Sequence, residues 1–271
     1  MIEEKLLLSK EIIDKAIIDF KPYAIVLMLS GGDDSMTALT VAKCLDIPFT
    51  HIMHGVTGTG ITETHDFVKQ VVSKEKAVYI EANAGNAYIN YVMRKGFFGS
   101  GMLAHSYSYH VLKIQHFRKA VSHYIRQNKR GRNILFVNGA RRSESDNRMK
   151  TMQSPYKHDP AQHRNIWVNI INDWHKPECL EFLNAEGIKR NPVSIQICRS
   201  GECMCGTMQS KADRIEAACI FPTWGKWLND LEKIVKEKHG FGWGENMPKQ
   251  VNPNQLDLFQ PMCVGCLRKA V

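Results

Sequence analysis

The first third of the chain alternates between helical and strand-like patterns of apolar residues. Residues 9–20 repeat apolar side chains at the three- and four-residue spacing of a helix, and residues 24–29 form a short continuous apolar run, typical of a buried parallel strand. Helical spacing follows that run, and further strand patterns occupy residues 49–55 and 76–82 with a helical pattern between them. This alternation predicts a doubly wound, mostly parallel α/β sheet with helices on both faces.

Two further strands and one long helix are expected downstream. Apolar runs at residues 133–140 and 165–171 predict the strands, and residues 110–132 carry an apolar stripe at helical spacing. The two strands would extend the same sheet.

The character of the sequence changes after Pro192. A helix is expected over residues 224–235, whereas residues 239–262 are rich in glycine and proline and predict irregular structure. We therefore expect one α/β domain over residues 1–193 and a separate cysteine-rich region over residues 194–271.

The charge of the chain favours polyanionic partners. Thirty-six Lys and Arg residues against 27 Asp and Glu residues give a net charge of +9. Lys119, Arg126 and Arg130 fall on the polar side of the predicted helix over residues 110–132, where they could contact nucleic acid or simply form a solvated face.

The eight cysteines do not indicate a disulfide framework, because the N-terminal residues do not resemble a secretory signal. No apolar run approaches the ~18 residues of a membrane span. We expect a cytoplasmic protein whose cysteines bind a metal or a cluster and which has no membrane partner.

The polar loop between the first strand and the next helix carries candidate chemistry. Residues 30–35 read Ser-Gly-Gly-Asp-Asp-Ser. Free backbone N–H groups at a helix N-terminus stabilise an anion, hydroxyls of Ser30 and Ser35 can donate further hydrogen bonds, and Asp34 can hold Mg²⁺. The loop could also be an ordinary capped turn, and it lacks the Gly-Lys-Ser/Thr ending of a Walker loop.

Four segments, in order along the chain, resemble the PP-loop ATP pyrophosphatases, in particular their phosphoadenosine phosphosulfate reductase-like branch. The first is the loop, which matches the pattern SGGxDS. The others are a TG and ET segment, a G-x-R-R-x-E-S-x-x-R segment and a W-x-x-x-x-[VL]…NP stretch. The matching residues include Ser30, Gly31, Gly32, Asp34, Ser35, Thr57, Gly58, Glu63, Thr64, Arg141, Arg142 and Arg148.

The resemblance implies an adenine nucleotide α-hydrolase-like fold that binds the phosphate chain of ATP. The residues it places at the nucleotide are Ser30, Gly31, Gly32, Asp34, Ser35, Thr57, Gly58 and Arg148. Asp34, Arg141 and Arg142 become the catalytic candidates, whereas Asp33 fills the variable place of the pattern and is expected to tolerate replacement. An Arg pair beyond a strand end also points to the ligand crevice of an open α/β sheet, although a solvated basic turn is an alternative.

Short-spaced cysteines from two segments can form a Cys₄ site for zinc or for an iron–sulfur cluster. The resemblance favours a [4Fe–4S] cluster on Cys203, Cys205, Cys263 and Cys266, with Cys198 as the alternative ligand. Cys44, Cys179 and Cys219 are expected to be ordinary small apolar residues.

Sulfonucleotide reductases of this branch end in an E-C-G-x-H segment with a nucleophilic cysteine, whereas this sequence ends CVGCLRKAV. We therefore expect cleavage of ATP between the α- and β-phosphates instead of sulfonucleotide reduction. The resemblance is strongest to the ATP pyrophosphatases of bacterial DNA phosphorothioation, which work with a cysteine desulfurase. It implies adenylation of a DNA backbone phosphate, followed by displacement with sulfur.

Two alternatives stay open. One is a tRNA-thiolating enzyme with the same loop and cluster, and the other is a nucleotide-binding cluster module without turnover. No histidine is expected to be catalytic; if one were, His54 would be the first candidate, because its strand end points to the crevice. A homodimer is also left open.

Overall fold

The computed structural model describes residues 2–126 and 131–248. Within them the chain forms a six-stranded sheet with the strand order β3-β2-β1-β4-β6-β5. All neighbouring strands are parallel except β5, which runs antiparallel to β6 at the edge. The strands are β1 (Ala24–Met28), β2 (His51–Val56), β3 (Val78–Asn83), β4 (Ile134–Asn138), β5 (Tyr156–His158) and β6 (Asn165–Asn169). The predicted mostly parallel α/β sheet is confirmed.

Helices cover both faces of this sheet. They are α1 (Ile2–Phe20), α2 (Asp33–Cys44), α3 (Thr62–Val72), α4 (Ala87–Lys95), α5 (Met102–Tyr109), α6 (Gln115–Ala120), α7 (Asp146–Thr151), α8 (Lys176–Ala185), α9 (Pro192–Ile197), α10 (Lys211–Ile220) and α11 (Pro222–His239). Among the described residues, no helix is both long enough and apolar enough to pass through a bilayer.

Strand β1 is buried on both of its faces, which explains its continuous apolar run. Ile25 and Leu27 belong to the core on the face of α1, α2 and α8, whereas Ala24 and Val26 belong to the core that also contains Phe117. Alternate side chains of a strand point to opposite faces, so a strand buried on both sides carries no polar positions.

The long helix expected over residues 110–132 is interrupted. Two π-helical turns, His110–Ile114 and Val121–Arg126, flank α6. A π turn adds a residue to the turn and changes which side chains share a face, and such turns are frequent at functional sites. Arg130 lies outside the described residues.

The described part of the cysteine-rich region packs closely on the α/β domain. Trp224 and Trp243 share one buried cluster with Tyr88, Leu112 and Val193. The boundary at residue 193 stays a prediction, but side chains from both sides of it form this cluster.

Candidate functional site

The loop between β1 and α2 is closed by its own hydroxyl groups. The Ser30 backbone N–H donates to Ser35 Oγ at 3.2 Å, and the hydroxyls of Ser30 and Ser35 lie 3.1 Å apart. Ser35 Oγ in turn donates to the Gly32 carbonyl at 2.9 Å. These bonds hold the loop in one shape before any ligand binds.

Two glycines allow the close approaches that this shape needs. Gly31 has φ +79°, and a Cβ there would lie 2.9 Å from Val68 Cγ2. Gly139, just beyond β4, passes so close to the first turn of α2 that a Cβ would lie 2.3 Å from the Asp34 carbonyl oxygen. A side chain at either position would push the loop out of place.

The two aspartates of the loop differ in a way that the sequence did not predict. Asp33 is buried and accepts two hydrogen bonds from Arg190, at 2.9 and 2.8 Å, with Lys176 Nζ at 3.0 Å. Burial alone would raise the pKa of Asp33, but its bonds to Arg190 and Lys176 outweigh burial and hold the pKa below its ordinary value. The expectation that Asp33 tolerates replacement therefore conflicts with its contacts, because its loss would leave Arg190 without its carboxylate partner.

Asp34 faces the cavity beside the loop. Its carboxylate accepts from Arg141 Nη2 at 3.0 Å and from Lys176 Nζ at 3.2 Å, and its side chain is 26% exposed. Among the described residues no group of three or more His, Cys, Asp and Glu side chains could hold a metal. A single carboxylate suits Mg²⁺ that is held mainly by substrate phosphates and water, so Asp34 fits that predicted role.

The three predicted arginines have different surroundings in the structure. Arg141 is 5% exposed and bonds Asp34 and Ser143, while its Nε is buried without a partner. Burial alone would lower the pKa of Arg141, but the Asp34 carboxylate raises it, so the side chain stays charged. Arg148 pairs with Glu144 and lines the main cavity described below, whereas Arg142 bonds Asp173 at 3.2 Å and lines none of the cavities around the loop.

Lys176 and Arg190 were missed by sequence reasoning. Both contact the loop aspartates from positions 142 and 157 residues further along the chain. Lys176 begins the helix that follows β6, and β6 ends at the same edge of the sheet as β1. That placement was the available signal for Lys176, and Arg190 directly precedes the Asn-Pro pair of the fourth resembling segment, although the resemblance assigned it no role.

A cavity of about 440 Å³ opens at the carboxyl edge of the sheet beside the loop, and we call it the main cavity. Ser30, Asp34 and Ser35 line one end of it. Other lining residues are Met28, Met53, Gly55, Tyr109, Lys113, Phe117, Gly139, Arg148, Trp167 and Glu202. Its volume suits a small ligand of nucleotide size, and its position matches the usual ligand crevice of open α/β sheets.

The predicted Thr57 and Gly58 lie beside a smaller cavity of about 180 Å³. Thr57 Oγ1 donates to the Glu202 carbonyl at 2.9 Å, and Gly58 has φ +75°. His54 also lines this cavity; it is buried, and its Nδ1 donates to the Leu29 carbonyl at 2.7 Å. Burial lowers the pKa of His54, which favours the neutral ring. Thr57 therefore fastens the backbone at Glu202, which lines both cavities.

The predicted cluster ligands are only partly brought together. Cys205 Sγ is hydrogen-bonded with Cys203, Thr207 and Ser108, and these bonds lower the pKa of Cys205. Cys198 instead lines the cavities beside the loop with Asp34 and Lys176, in a left-handed conformation with φ +54°. Cys263 and Cys266 lie outside the described residues, so the four-cysteine set stays a prediction, with Cys203 and Cys205 placed together.

The other cysteines differ in their surroundings. Cys179 is buried, as expected for an apolar position, and burial raises its pKa to about 11. The same expectation is wrong for Cys44 and Cys219, which are exposed because they lie on solvent-facing positions of α2 and α10.

The predicted nucleic-acid contacts are only partly available for binding. Lys119 is exposed on α6. Arg126 instead donates to Asn165 Oδ1 at 2.6 Å and to the Arg132 carbonyl at 3.1 Å, which ties it to the start of β6. A role for Lys119 and Arg126 in binding nucleic acid stays a prediction, and Arg126 has a structural role as well.

Comparison with solved structures shows a shared fold. FMN adenylyltransferase from Candida glabrata, in complex with FMN and the ATP analogue AMPCPP, is 12% identical with a TM-score of 0.50, over 72% of this chain and 61% of that one. Phosphoadenylyl-sulfate reductase from Candida auris is 13% identical with a TM-score of 0.47, over 68% and 82%. NMN synthetase from Francisella tularensis is 10% identical with a TM-score of 0.48, over 85% and 95%.

Sequence comparison gives the family. No curated protein matches this chain in sequence. The sequence profile of the phosphoadenosine phosphosulfate reductase domain matches residues 24–208, which include the loop, the arginine segment and Cys203 to Cys205. Because this match covers more than half of the chain, the protein belongs to the phosphoadenosine phosphosulfate reductase domain family.

Proposed function

We propose that this protein is an enzyme that uses an adenine nucleotide, and specifically an ATP pyrophosphatase that adenylates a DNA backbone phosphate for sulfur incorporation. A cysteine desulfurase would supply the sulfur. The family match and the fold shared with an enzyme solved with an ATP analogue support the use of an adenine nucleotide. The observation that carries the proposal is the preshaped loop with Arg141 and Lys176 directed at Asp34 beside the main cavity.

The proposed reaction needs a site for the leaving pyrophosphate. An oxygen of the DNA phosphate attacks the α-phosphorus of ATP, and the bond from that phosphorus to the oxygen bridging to the β-phosphorus breaks. Negative charge builds up on the leaving pyrophosphate, which fixed N–H donors and cations stabilise. The backbone N–H groups of the loop, together with Lys176 and Arg141, supply these groups, and Arg148 lies where it can contact the remaining phosphate.

Bound Mg²⁺ would neutralise part of the phosphate charge, and Asp34 is the residue that would hold it. Asp34 is already paired with two cations. We expect phosphate groups to draw Arg141 and Lys176 toward themselves, which frees the Asp34 carboxylate for the metal.

The iron–sulfur part of the proposal rests on the resemblance and on the pair of Cys203 and Cys205. Cys203 is mostly buried and Cys205 is buried. The hydrogen bonds of Cys205 lower its pKa, which favours the thiolate that binds a metal. The hydrogen bond with Cys205 and burial raise the pKa of Cys203, so Cys203 would give up its proton only when the metal binds. Two further cysteines would complete the proposed cluster.

The proposal is tested by expressing the gene with its genomic neighbours and digesting the DNA. Mass spectrometry should detect phosphorothioate dinucleotides, and these should be absent with Arg141→Ala but present with the matched control Arg164→Ala, an exposed arginine just before β6. Thiolated tRNA without phosphorothioate DNA would contradict the DNA substrate and favour a tRNA-thiolating enzyme. Nucleotide binding without pyrophosphate release in the presence of DNA and desulfurase would favour a binding module.

A further inference from the structure

A group of aromatic side chains lies between α4 and α5, outside the lining of the main cavity. The rings of Tyr91 and Phe98 stack with their centroids 4.1 Å apart, and the ring of Tyr107 lies 5.7 Å from Tyr91 and 5.9 Å from Phe98. Tyr107 is 51% exposed, and Leu103, one turn earlier on α5, is 90% exposed. Adjoining exposed side chains of this kind mark an interaction surface, whereas single ones do not. We call Tyr91, Phe98 and Tyr107 the aromatic face.

The segment that carries this face is strongly basic. Residues 82–143 contain no Asp or Glu. The Lys and Arg residues of this segment are Arg94, Lys95, Lys113, Arg118, Lys119, Arg126, Lys129, Arg130, Arg132, Arg141 and Arg142. Arg94 and Lys95 are exposed and follow Tyr91 on α4 by three and four residues, the spacing that brings helical side chains together. The charge therefore favours an anionic occupant.

The aromatic face adjoins the main cavity through α5. Tyr109, the last residue of α5, lines the main cavity, and so does Lys113, whose Nζ lies 5.9 Å from the centre of the Tyr109 ring. Helix α4 begins shortly after β3 ends, so it stands at the same edge of the parallel sheet as the loop. A polyanion that lies across the aromatic face can therefore bring one of its phosphates to the main cavity.

The rings decide which kind of polyanion fits. An acidic protein would pair with the lysines and arginines but would make little use of exposed aromatic rings. In nucleic acid the bases stack on aromatic rings while the phosphates contact Lys and Arg. The bases of a duplex already stack on one another, so their faces become available only where the strands are separated.

From this arrangement we infer that the aromatic face binds unstacked bases of the DNA substrate, so that the protein recognises single-stranded or locally opened DNA. The identity of the polyanion rests on the proposed function. Tyr107, the most exposed of the three rings, provides the main stacking surface. Arg94 and Lys95 contact the phosphates beside the stacked bases.

The test compares two labelled DNA strands of about 12 nucleotides by fluorescence anisotropy with the purified full chain. One strand is oligothymidine, and in the other the central nucleotides are abasic. Both carry the same phosphates, so charge cannot distinguish them. Stacking predicts that the complete strand binds roughly 5- to 100-fold more tightly. Equal affinity of the wild-type protein for the two strands would overturn the inference, and this comparison requires no variant.

Tyr107→Leu sharpens the test, because leucine keeps an apolar side chain but removes the ring. This variant should lose most of the preference for the complete strand, whereas Tyr107→Phe should keep it. The matched control is Tyr23→Leu, at an exposed tyrosine just before β1 and so at the opposite edge of the sheet. The control should keep the wild-type preference. A preference that survives in Tyr107→Leu would overturn the assignment of the aromatic face.

Two further outcomes would name a different occupant. A ribonucleotide strand of matching sequence that binds more tightly than the DNA strand would overturn DNA as the occupant. A change in the sedimentation of Tyr107→Leu without a change in its strand binding would show that a second copy of the chain covers this face, which also overturns the inference.

The outcomes separate the inference from the proposed function. Formation of phosphorothioate DNA by a protein that binds both strands equally would overturn the inference and leave the proposed function intact. A preference for the complete strand that depends on Tyr107, in a protein that forms no phosphorothioate, would contradict the proposed function alone. If Tyr107→Leu does not fold, the wild-type comparison still decides.

Discussion

The loop and the wall of the main cavity differ in how their charges are paired. At the loop, Asp33 and Asp34 together accept hydrogen bonds from Arg141, Lys176 and Arg190. In the cavity wall, Glu202 has a single cationic partner, Lys113, and one buried oxygen without a partner among the described residues. The loop therefore has several cations that a bound phosphate chain could draw on, whereas the wall has one ion pair. The proposed pyrophosphate site accordingly lies at the loop.

The largest expected effect is at Asp33. Asp33→Ala removes a buried carboxylate and leaves Arg190 without its ion-pair partner, which should lower the free energy of unfolding by about 2–3 kcal/mol. Urea denaturation measures this change. Asp14→Ala, which removes only an exposed ion pair with Lys10, is the control and should cost about 1 kcal/mol or less. Equal costs at the two positions would contradict a structural role for Asp33.

The strands and the loop aspartates show which structural features could be predicted from the sequence and which could not. Strands β1 and β4, which are buried along most of their length, are apolar runs, and β2, β3 and β6 also carry clusters of apolar residues, so all five were found close to their observed bounds. Edge strand β5 reads Tyr-Lys-His and has no such run, and helical spacing does not distinguish a π turn from an α turn. The role of Asp33 depends on Arg190, 157 residues away in sequence, and no local pattern reveals a partner at that distance.

The residues of the candidate site also divide into those that the sequence identified and those that it did not. The loop, Arg141 and Arg148 were identified because their spacing resembles a family pattern. Glu202 and Lys113 were not, because an orphan carboxylate oxygen is a feature of three-dimensional packing.

Lys176 should have the next largest effect, and on ligand affinity. Lys176→Met removes the one side chain that contacts both loop aspartates among the described residues. Loss of a charged donor to phosphate should weaken ATP binding about tenfold. Displacement of a fluorescent derivative of AMPCPP from the purified protein by ATP measures this affinity. An unchanged affinity would contradict a role for Lys176 in binding the phosphates.

The pH dependence of stability offers a smaller test at the loop end. The pKa of Asp33 is lowered, so its ion pairs stabilise the fold above its unfolded pKa of about 3.9 and lose this effect as pH falls through the lower folded pKa. The difference in unfolding free energy between wild type and Asp33→Asn should therefore be constant near neutral pH and shrink below about pH 4. A difference that already disappears near pH 6 would contradict the assignment.

The smallest effect is expected at Cys198. Cys198 lies at the loop end, whereas Cys203 and Cys205 lie together elsewhere. Cys198→Ser should leave the iron and acid-labile sulfide of anaerobically purified protein unchanged, while Cys203→Ser should lose most of both. Iron loss in Cys198→Ser would make Cys198 a ligand and contradict the arrangement described above.

The most direct test of the central claim is the product formed from ATP. With Mg²⁺, DNA and a cysteine desulfurase supplied with cysteine, the wild-type protein should release one pyrophosphate for each AMP formed, and Arg141→Ala should lose this release. Release of ADP and inorganic phosphate, or no release of pyrophosphate under these conditions, would contradict the assignment of the loop as a pyrophosphate site.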